Sequence, residues 1–146
     1  GAPTVYYGDE AGVCGFTDPD NRRTYPWGHE DKQMLLFHKE AIRIHRNSTA
    51  LRTGSYKMLY TAWGILGYGR FDKNERYAVI VNNTQETVNV AVPVWQIGVA
   101  DGSRMEQQLM SVAESFTKVP DIYVVTDGYL MVAMPRTSAV ILKDIG

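Results

Sequence analysis

The clearest indication of the fold class comes from residues 65–82, which read ILGYGRFDKNERYAVIVN. Two runs, 65–72 and 76–82, are rich in β-branched and aromatic side chains, and they meet at the polar segment 72–75. Runs of this length and composition are typical of β-strands, and a short polar segment between two such runs is typical of a hairpin turn. Residues 65–82 therefore predict a pair of antiparallel strands.

The same pattern continues on both sides of this hairpin. Further strand-like segments are 55–61, 86–92, 104–111, 122–126, 129–134 and 138–143, and turn residues such as Trp63-Gly64, Asn83-Thr84-Gln85 and Asp127-Gly128 separate them. Strands that follow one another every ten residues or so, without helices between them, indicate an antiparallel sandwich. We predict a mainly β fold, with an antiparallel Greek-key β-sandwich over residues 52–146.

The first fifty residues have a different character. Residues 2–7 are β-branched and aromatic and predict a short buried strand, and a loop rich in glycine and proline follows over 12–28. Residues 29–46 predict one α-helix, with acids in its first turn, bases in its last turns and a wide apolar stripe. One strand and one helix cannot bury each other's apolar faces. We therefore expect residues 1–51 to be the end of a larger structure, and the whole chain to be a segment of a longer protein.

Composition narrows the classes of partner and cofactor. The 146 residues include 15 basic and 16 acidic side chains, a formal net charge of -1, and no block of like charge, which predicts no nucleic-acid partner and no membrane partner. The one cysteine, Cys14, cannot form an intrachain disulfide, and it favours a reducing compartment such as the cytoplasm, although a secreted bacterial protein without disulfides would look the same. We find no calcium or zinc pattern and predict no metal and no cofactor.

Several motifs resemble the alpha-amylase family of glycoside hydrolases, in particular the branch that holds neopullulanases and cyclomaltodextrinases. Residues 1–10, GAPTVYYGDE, are similar to the last barrel strand of that family, and 18–27, DPDNRRTYPW, are similar to the loop after it. Residues 50–56 resemble the link into the family's carboxy-terminal sandwich. The resemblance implies that 1–51 form the last strand, loop and helix of a (β/α)8 barrel, and that 52–146 form the sandwich.

This resemblance implies a parent enzyme that hydrolyses α-glucans such as maltodextrins, and it places the catalytic acids outside this chain. Retaining glycosidases need two carboxyl groups about 5–5.5 Å apart. Asp9 and Glu10, as neighbours on an extended strand, would point to opposite faces, and Asp18 and Asp20 lie in a loop. The family's nucleophile and general acid belong to earlier strands. We therefore expect no catalytic residue here, and a sandwich that stabilises the barrel.

The resemblance also assigns substrate contacts. Asp18 and Arg22 match the family pair that hydrogen-bonds a glucose unit on the non-reducing side of the cleaved bond, and a carboxylate beside a guanidinium suits sugar hydroxyls. Tyr25 and Trp27 could stack on a pyranose ring. The alternatives stay open at this point: Asp18 and Arg22 could pair only with each other to order the loop, and the two aromatic side chains could pack beneath it.

Other functions remain possible from the sequence. Residues 52–146 could be an independent carbohydrate-binding module, which would need two or three exposed aromatic side chains in line, whereas the strand alternation does not place the sandwich aromatics on one face. The parent could be a transglycosylase, and Trp63 could contact either a sugar or the barrel. We also expect the isolated chain to self-associate, or to fold its first part onto the sandwich, because apolar surface on 2–7 and 29–46 would be exposed.

Overall fold

A computed structural model describes residues 3–146 of the chain. The structure divides into two compact units, Gly1–Ile44 and His45–Gly146.

The second unit contains a short helix and nine strands. The helix is α2, Thr49–Thr53, and the strands are β1 (Ser55–Ala62), β2 (Ile65–Phe71), β3 (Arg76–Asn82), β4 (Val88–Val92), β5 (Arg104–Val112), β6 (Ser115–Thr117), β7 (Ile122–Val124), β8 (Leu130–Met134) and β9 (Ser138–Asp144). A 3-10 turn, Val94–Ile97, lies between β4 and β5. The expectation of a mainly β, antiparallel fold is confirmed, and the strands agree with the expected segments except for β6, which has no counterpart among them.

The strands form two antiparallel sheets. Seven strands make the larger sheet, in the order β1-β2-β3-β9-β5-β6 with β7 also paired to β5, and β4 pairs with β8 in the smaller one. The hairpin predicted from 65–82 is present, since Phe71 lies opposite Arg76 in the β2–β3 register. The Asp72 carboxylate accepts hydrogen bonds from the backbone N–H groups of Asn74 (2.7 Å) and Glu75 (2.8 Å), which fixes the turn.

Alternating apolar residues of both sheets form one core. Strand β8 shows the pattern most clearly, because Leu130, Val132 and Met134 are buried while the two residues between them are exposed. Such alternation follows from the two-residue period of a strand. The remaining fully or nearly fully buried members of the cluster are Leu59, Ala78, Ile80, Val90, Val92, Val94, Ile97, Val99, Met105, Val125, Val140 and Leu142.

The first unit contains two 3-10 turns, Asp9–Ala11 and Asp20–Arg22, and most of helix α1, Lys32–Arg46. The expectation of a strand at residues 2–7 is wrong for residues 3–7. These residues pair with no strand in the part of the chain that the structure describes, and residue 2 lies outside that part. A strand needs a neighbouring strand for its backbone hydrogen bonds. Here Tyr6 instead accepts a hydrogen bond from Asp9 N–H at 3.1 Å, which turns the chain.

The start of α1 is also corrected. The helix begins at Lys32 rather than residue 29, because the Asp31 carboxylate accepts hydrogen bonds from the N–H groups of Gln33 (2.9 Å) and Met34 (3.0 Å). Asp31 is therefore the N-cap, and the acids precede the first turn instead of occupying it. Much of the apolar side-chain surface in this unit is exposed, including Val5, Tyr6, Tyr7, Phe16, Trp27, Leu36 and Ile42. Self-association of the chain stays a prediction.

Candidate functional site

The loop that carries the proposed substrate contacts is ordered by Asp20. Its Oδ2 accepts a hydrogen bond from Phe16 N–H at 3.0 Å, and its Oδ1 accepts two from the Arg23 guanidinium at 3.0 and 2.6 Å. The hydrogen bonds from Arg23 and Phe16 lower the pKa of Asp20. The Tyr7 hydroxyl donates to the Arg23 carbonyl at 2.9 Å and so ties the segment before the first turn to the end of the loop.

The structure brings Asp18 and Arg22 together. Arg22 Nε donates to Asp18 Oδ1 at 3.3 Å and Nη2 donates to Oδ2 at 2.9 Å, a bidentate pair. The Asp18 side chain is 61% exposed and that of Arg22 is 70% exposed, so the pair faces solvent at its outer edge. A carboxylate oxygen has more than one acceptor position, and a guanidinium has five N–H groups. The pair therefore keeps hydrogen-bonding capacity for a ligand after its own two bonds are made.

Tyr25 and Trp27 form a second pair on the same loop. Their ring centroids are 4.6 Å apart and the planes are tilted by 51°. Trp27 is 80% exposed, while Tyr25 is half-buried. Desolvation, together with the Glu10 and Glu30 carboxylates, raises the pKa of Tyr25 and keeps its hydroxyl neutral. Tyr25 thus supports Trp27 from one side, and the indole presents apolar surface to solvent.

The two acids at the beginning of the chain have structural partners. Asp9 and Glu10 lie on a 3-10 turn, not on the extended strand that the sequence predicts. Asp9 Oδ2 accepts from Tyr6 N–H at 3.2 Å, and Glu10 Oε2 accepts from Gly8 N–H at 3.1 Å. Gly8 adopts φ +91°, a left-handed conformation that favours glycine at this turn. Both carboxylates therefore help to hold the backbone where the chain reverses.

Metal-ligating groups are scattered in the described chain. Over residues 3–146, no group of three or more histidine, cysteine, aspartate or glutamate side chains is placed to hold a metal ion. The His38 ring nitrogen Nδ1 lies 2.9 Å from the Met34 carbonyl oxygen, one turn earlier on α1. Across the same residues, no helix has the length and apolar character needed to cross a bilayer.

One pair of aromatic side chains shares a face of the sandwich. Tyr56 on β1 and Tyr68 on β2 are in contact, with ring centroids 5.5 Å apart and planes tilted by 30°. Tyr68 lies opposite Met58 in the hairpin register, on the face that Tyr56 also occupies. Trp63 lies at the β1–β2 turn and is 95% exposed. Cross-strand pairing, which the alternation along a single strand cannot show, brings this pair together.

Comparison with known proteins points to amylolytic enzymes. No family model matches the chain. An amylopullulanase of Thermoanaerobacter thermohydrosulfuricus is 31% identical over 100% of this chain and 10% of its own length. A cyclomaltodextrinase of Thermoanaerobacter pseudethanolicus is 36% identical over 59% of this chain and 15% of its own length. The chain thus spans between 10% and 15% of these two relatives.

Solved structures show the same fold. A debranching enzyme of Nostoc punctiforme matches with a TM-score of 0.74 and 25% identity, over 97% of this chain and 28% of its own chain. An alpha-amylase of Geobacillus thermoleovorans, crystallised with acarbose, matches with a TM-score of 0.79 and 23% identity, over 97% of this chain and 29% of its own. In both cases the match includes the loop-and-helix segment as well as the sandwich.

Proposed function

We propose, on the premise that this chain belongs to the alpha-amylase family, that it is the carboxy-terminal segment of an enzyme that acts on α-glucans such as maltodextrins. In this proposal residues 1–51 complete the catalytic barrel and residues 52–146 form the sandwich that stabilises it. The catalytic carboxylates belong to other parts of the enzyme, and the segment contributes substrate contacts through its loop.

The observation that carries the proposal is the extent of the likeness. The amylopullulanase relative matches 100% of this chain, so the loop, helix α1 and the sandwich follow one another in a single amylolytic polypeptide. An independent carbohydrate-binding module would be expected to match over the sandwich alone. Full-length similarity therefore favours a segment of an enzyme over a separate module.

The geometry of the loop supports a sugar contact at Asp18 and Arg22. The two side chains are already paired and exposed, so a glucose unit could approach without first breaking the pair. Sugar hydroxyls both donate and accept, and neighbouring hydroxyls can bind the carboxylate and the guanidinium together. Trp27 offers an exposed indole on the same ten-residue segment, and the apolar C–H face of a pyranose packs well on such a ring.

A segment exchange tests this proposal. Residues 1–146 would replace the matching segment of the Thermoanaerobacter thermohydrosulfuricus amylopullulanase, which aligns with the whole of this chain, and hydrolysis of maltoheptaose would be measured. We expect an active chimera, in which Asp18→Ala or Arg22→Ala raises KM about tenfold, because a hydrogen bond to a charged group contributes about 1.5–3 kcal/mol. Glu114→Ala, which removes an exposed carboxylate outside the loop, should leave KM unchanged.

Three results would contradict the proposal. A chimera that is folded by circular dichroism but inactive would show that the segment cannot complete such an enzyme. An active chimera in which Asp18→Ala has the KM of the unmodified chimera would remove the sugar contact from the proposal. The isolated chain should release no reducing ends from maltoheptaose, and turnover that depends on Asp9, Glu10, Asp18 or Asp20 would show that the catalytic groups lie here.

A further inference from the structure

A second aromatic surface lies on the sandwich, far along the chain from the loop. We call it the Trp95 patch and define it as Trp95 and Tyr129 with the carboxylates of Asp101 and Asp127. Trp95 is 55% exposed and Tyr129 43%, although both belong to the unit that contains the apolar core. Both aspartates are exposed as well.

The Asp127-Gly128 turn fixes the indole. The turn is closed by two backbone hydrogen bonds between Thr126 and Tyr129, at 3.0 and 2.9 Å, and both of its central residues have positive φ, +54° at Asp127 and +79° at Gly128. A Cβ at Gly128 would lie 3.0 Å from Trp95 Cδ1, so the indole packs directly on the glycine backbone. The backbone N–H of Trp95 also donates to the Gly128 carbonyl at 3.2 Å. The tryptophan is thus exposed yet held in place.

A carboxylate is fixed against the same turn. Asp101 Oδ1 accepts a hydrogen bond from Gly128 N–H at 3.2 Å, and Gly102 N–H donates to the Val125 carbonyl at 2.9 Å, which binds this loop to the turn. Asp101 Oδ2 and the Asp127 carboxylate form no hydrogen bond with any residue in 3–146. Three segments that are distant in sequence therefore converge on Gly128, and they present an indole together with acceptor groups.

We propose that the Trp95 patch is a second binding site for an α-glucan chain, distinct from the 18–27 loop. An exposed indole can stack on the C–H face of a glucose unit, and carboxylates beside it can accept hydrogen bonds from the sugar's hydroxyl groups. The choice of α-glucan rests on the proposed function above. The neutral hydroxyl donors of a sugar can satisfy both carboxylates, whereas a protein partner would have to place cations or other donors opposite each of them.

The three tryptophans allow each candidate surface to be observed separately. In the 146-residue chain, two tryptophans would be changed to phenylalanine so that only Trp27, Trp63 or Trp95 remains, and fluorescence would be followed during titration with maltoheptaose. The Trp95 reporter should show a saturable change. The Trp63 reporter, which is 95% exposed on another turn, serves as the matched control and should not respond.

Two substitutions and one further ligand sharpen the test. Trp95→Ala should weaken binding at this site about tenfold, and Asp101→Asn should weaken it less, because the amide oxygen can still accept from Gly128 N–H. Retardation of the chain in amylose gels gives the independent readout for both variants. Cellohexaose, a β-linked glucan, should bind more weakly than maltoheptaose.

Several results would overturn the inference while leaving the proposed function intact. One is an unchanged Trp95 fluorescence in a chain that is folded by circular dichroism, and another is binding of cellohexaose as strong as that of maltoheptaose. The third is a change in oligomeric state on Trp95→Ala, which would identify the patch as an interface between copies. Hydrolysis by the segment-exchange chimera is a separate measurement that tests the proposed function. An inactive, folded chimera together with a responding Trp95 would instead contradict the proposed function alone.

Discussion

The two units of the molecule are held by interactions of different range. In residues 3–44 the bond from Tyr7 to Arg23 spans sixteen residues, and those of Asp18 and Asp20 span three or four. In the sandwich, Asn82 binds residues 52 and 53 positions away, and Glu75 binds Lys143 at a separation of 68. Only Ala11 and Ile44 are buried among the hydrophobic side chains of residues 3–44, whereas the sandwich has a continuous core.

This difference indicates that folding stability comes mainly from the sandwich, and that the exposed polar groups of the loop contribute little to it. Long-range contacts and buried apolar surface make the sandwich the cooperative part of the chain, while the loop has a locally determined shape and exposed polar groups. Local hydrogen bonds contribute little net free energy, because water competes for the same groups. We therefore expect equivalent substitutions to affect folding strongly in the sandwich and weakly in the loop-and-helix unit.

The largest effect is expected from a cavity in the core. Leu142 is fully buried on β9, so Leu142→Ala should lower the free energy of unfolding by about 2–5 kcal/mol. Leu36 on α1 is 51% exposed, and the same truncation there should change it by less than about 0.5 kcal/mol. Urea unfolding followed by circular dichroism measures both. Equal losses at the two positions would mean that helix α1 belongs to the same cooperative unit as the sandwich.

The next effect concerns a buried amide. Asn82 is 1% exposed, and its Nδ2 donates to the carbonyls of Glu86 (2.9 Å), Met134 (3.2 Å) and Pro135 (2.8 Å). Asn82→Ala should cost about 1–3 kcal/mol, because buried carbonyl groups would lose their donor. Asn83→Ala, at the exposed neighbouring position, is the matched control and should be close to neutral. A small loss at Asn82 would indicate that water replaces the amide and that this end of the sandwich is open.

The same contrast of range explains what the sequence could predict. Strand β3 and its hairpin were predictable, because alternation and turn chemistry are local signals. The absence of a strand at residues 3–7 was not predictable from that segment, since a strand exists only when other strands pair with it. Two local signals could have improved the interpretation: Asp31 and Ser48 are N-cap residues that mark the starts of α1 and of the short helix α2, and Ser48 accepts from Leu51 N–H at 3.1 Å.

The candidate sites follow the same division. Asp18 and Arg22 are four residues apart, so their pairing could be expected from spacing and from the family resemblance. The Trp95 patch joins Trp95 and Asp101 to Gly128, which is distant from both in sequence, and only the folded topology shows that the three meet. Sequence patterns report contacts along one strand or helix, whereas a site built from several loops requires the pairing of distant segments.

A smaller effect should appear as a pH dependence. Burial favours the neutral form of Glu75, but hydrogen bonds from Ser48 (2.7 Å) and Lys143 (3.1 Å) together outweigh it and lower the Glu75 pKa below its ordinary value of 4.5. This contribution is complete above that ordinary pKa and is lost as the pH falls through the lowered, folded-state pKa. We expect Glu75→Gln to cost about 1 kcal/mol at neutral pH and almost nothing in strong acid.

The measurement for Glu75 is the free energy of unfolding between about pH 7 and pH 2.5, compared with that of Glu114→Gln, whose carboxylate is exposed. The curves of the original chain and of Glu75→Gln should converge as the pH falls. Parallel curves in acid would show that Glu75 does not link α2 to the sheet electrostatically.

Lys143 should give the corresponding effect on the alkaline side. Burial opposes the charge of Lys143, but the hydrogen bond to Glu75 prevails and raises the Lys143 pKa. The contribution of Lys143 is therefore lost only as the pH rises through that raised value.

The smallest effect on folding should come from Asp18 and Arg22, the pair proposed to contact the substrate. Asp18 and Arg22 are both more than half exposed, so Asp18→Ala should change the free energy of unfolding by less than about 0.5 kcal/mol. Asp20→Ala is the informative comparison, because Asp20 holds the Phe16 N–H and the Arg23 guanidinium and should alter the loop's shape when removed. Amide chemical shifts over 16–27 would distinguish the two variants.

If Asp18→Ala disturbed the loop as much as Asp20→Ala, the Asp18–Arg22 pair would be a loop-ordering contact, and its sugar-binding role would lose its structural basis. If the loop stays unchanged while KM rises in the segment-exchange chimera, the pair serves the ligand and not the fold.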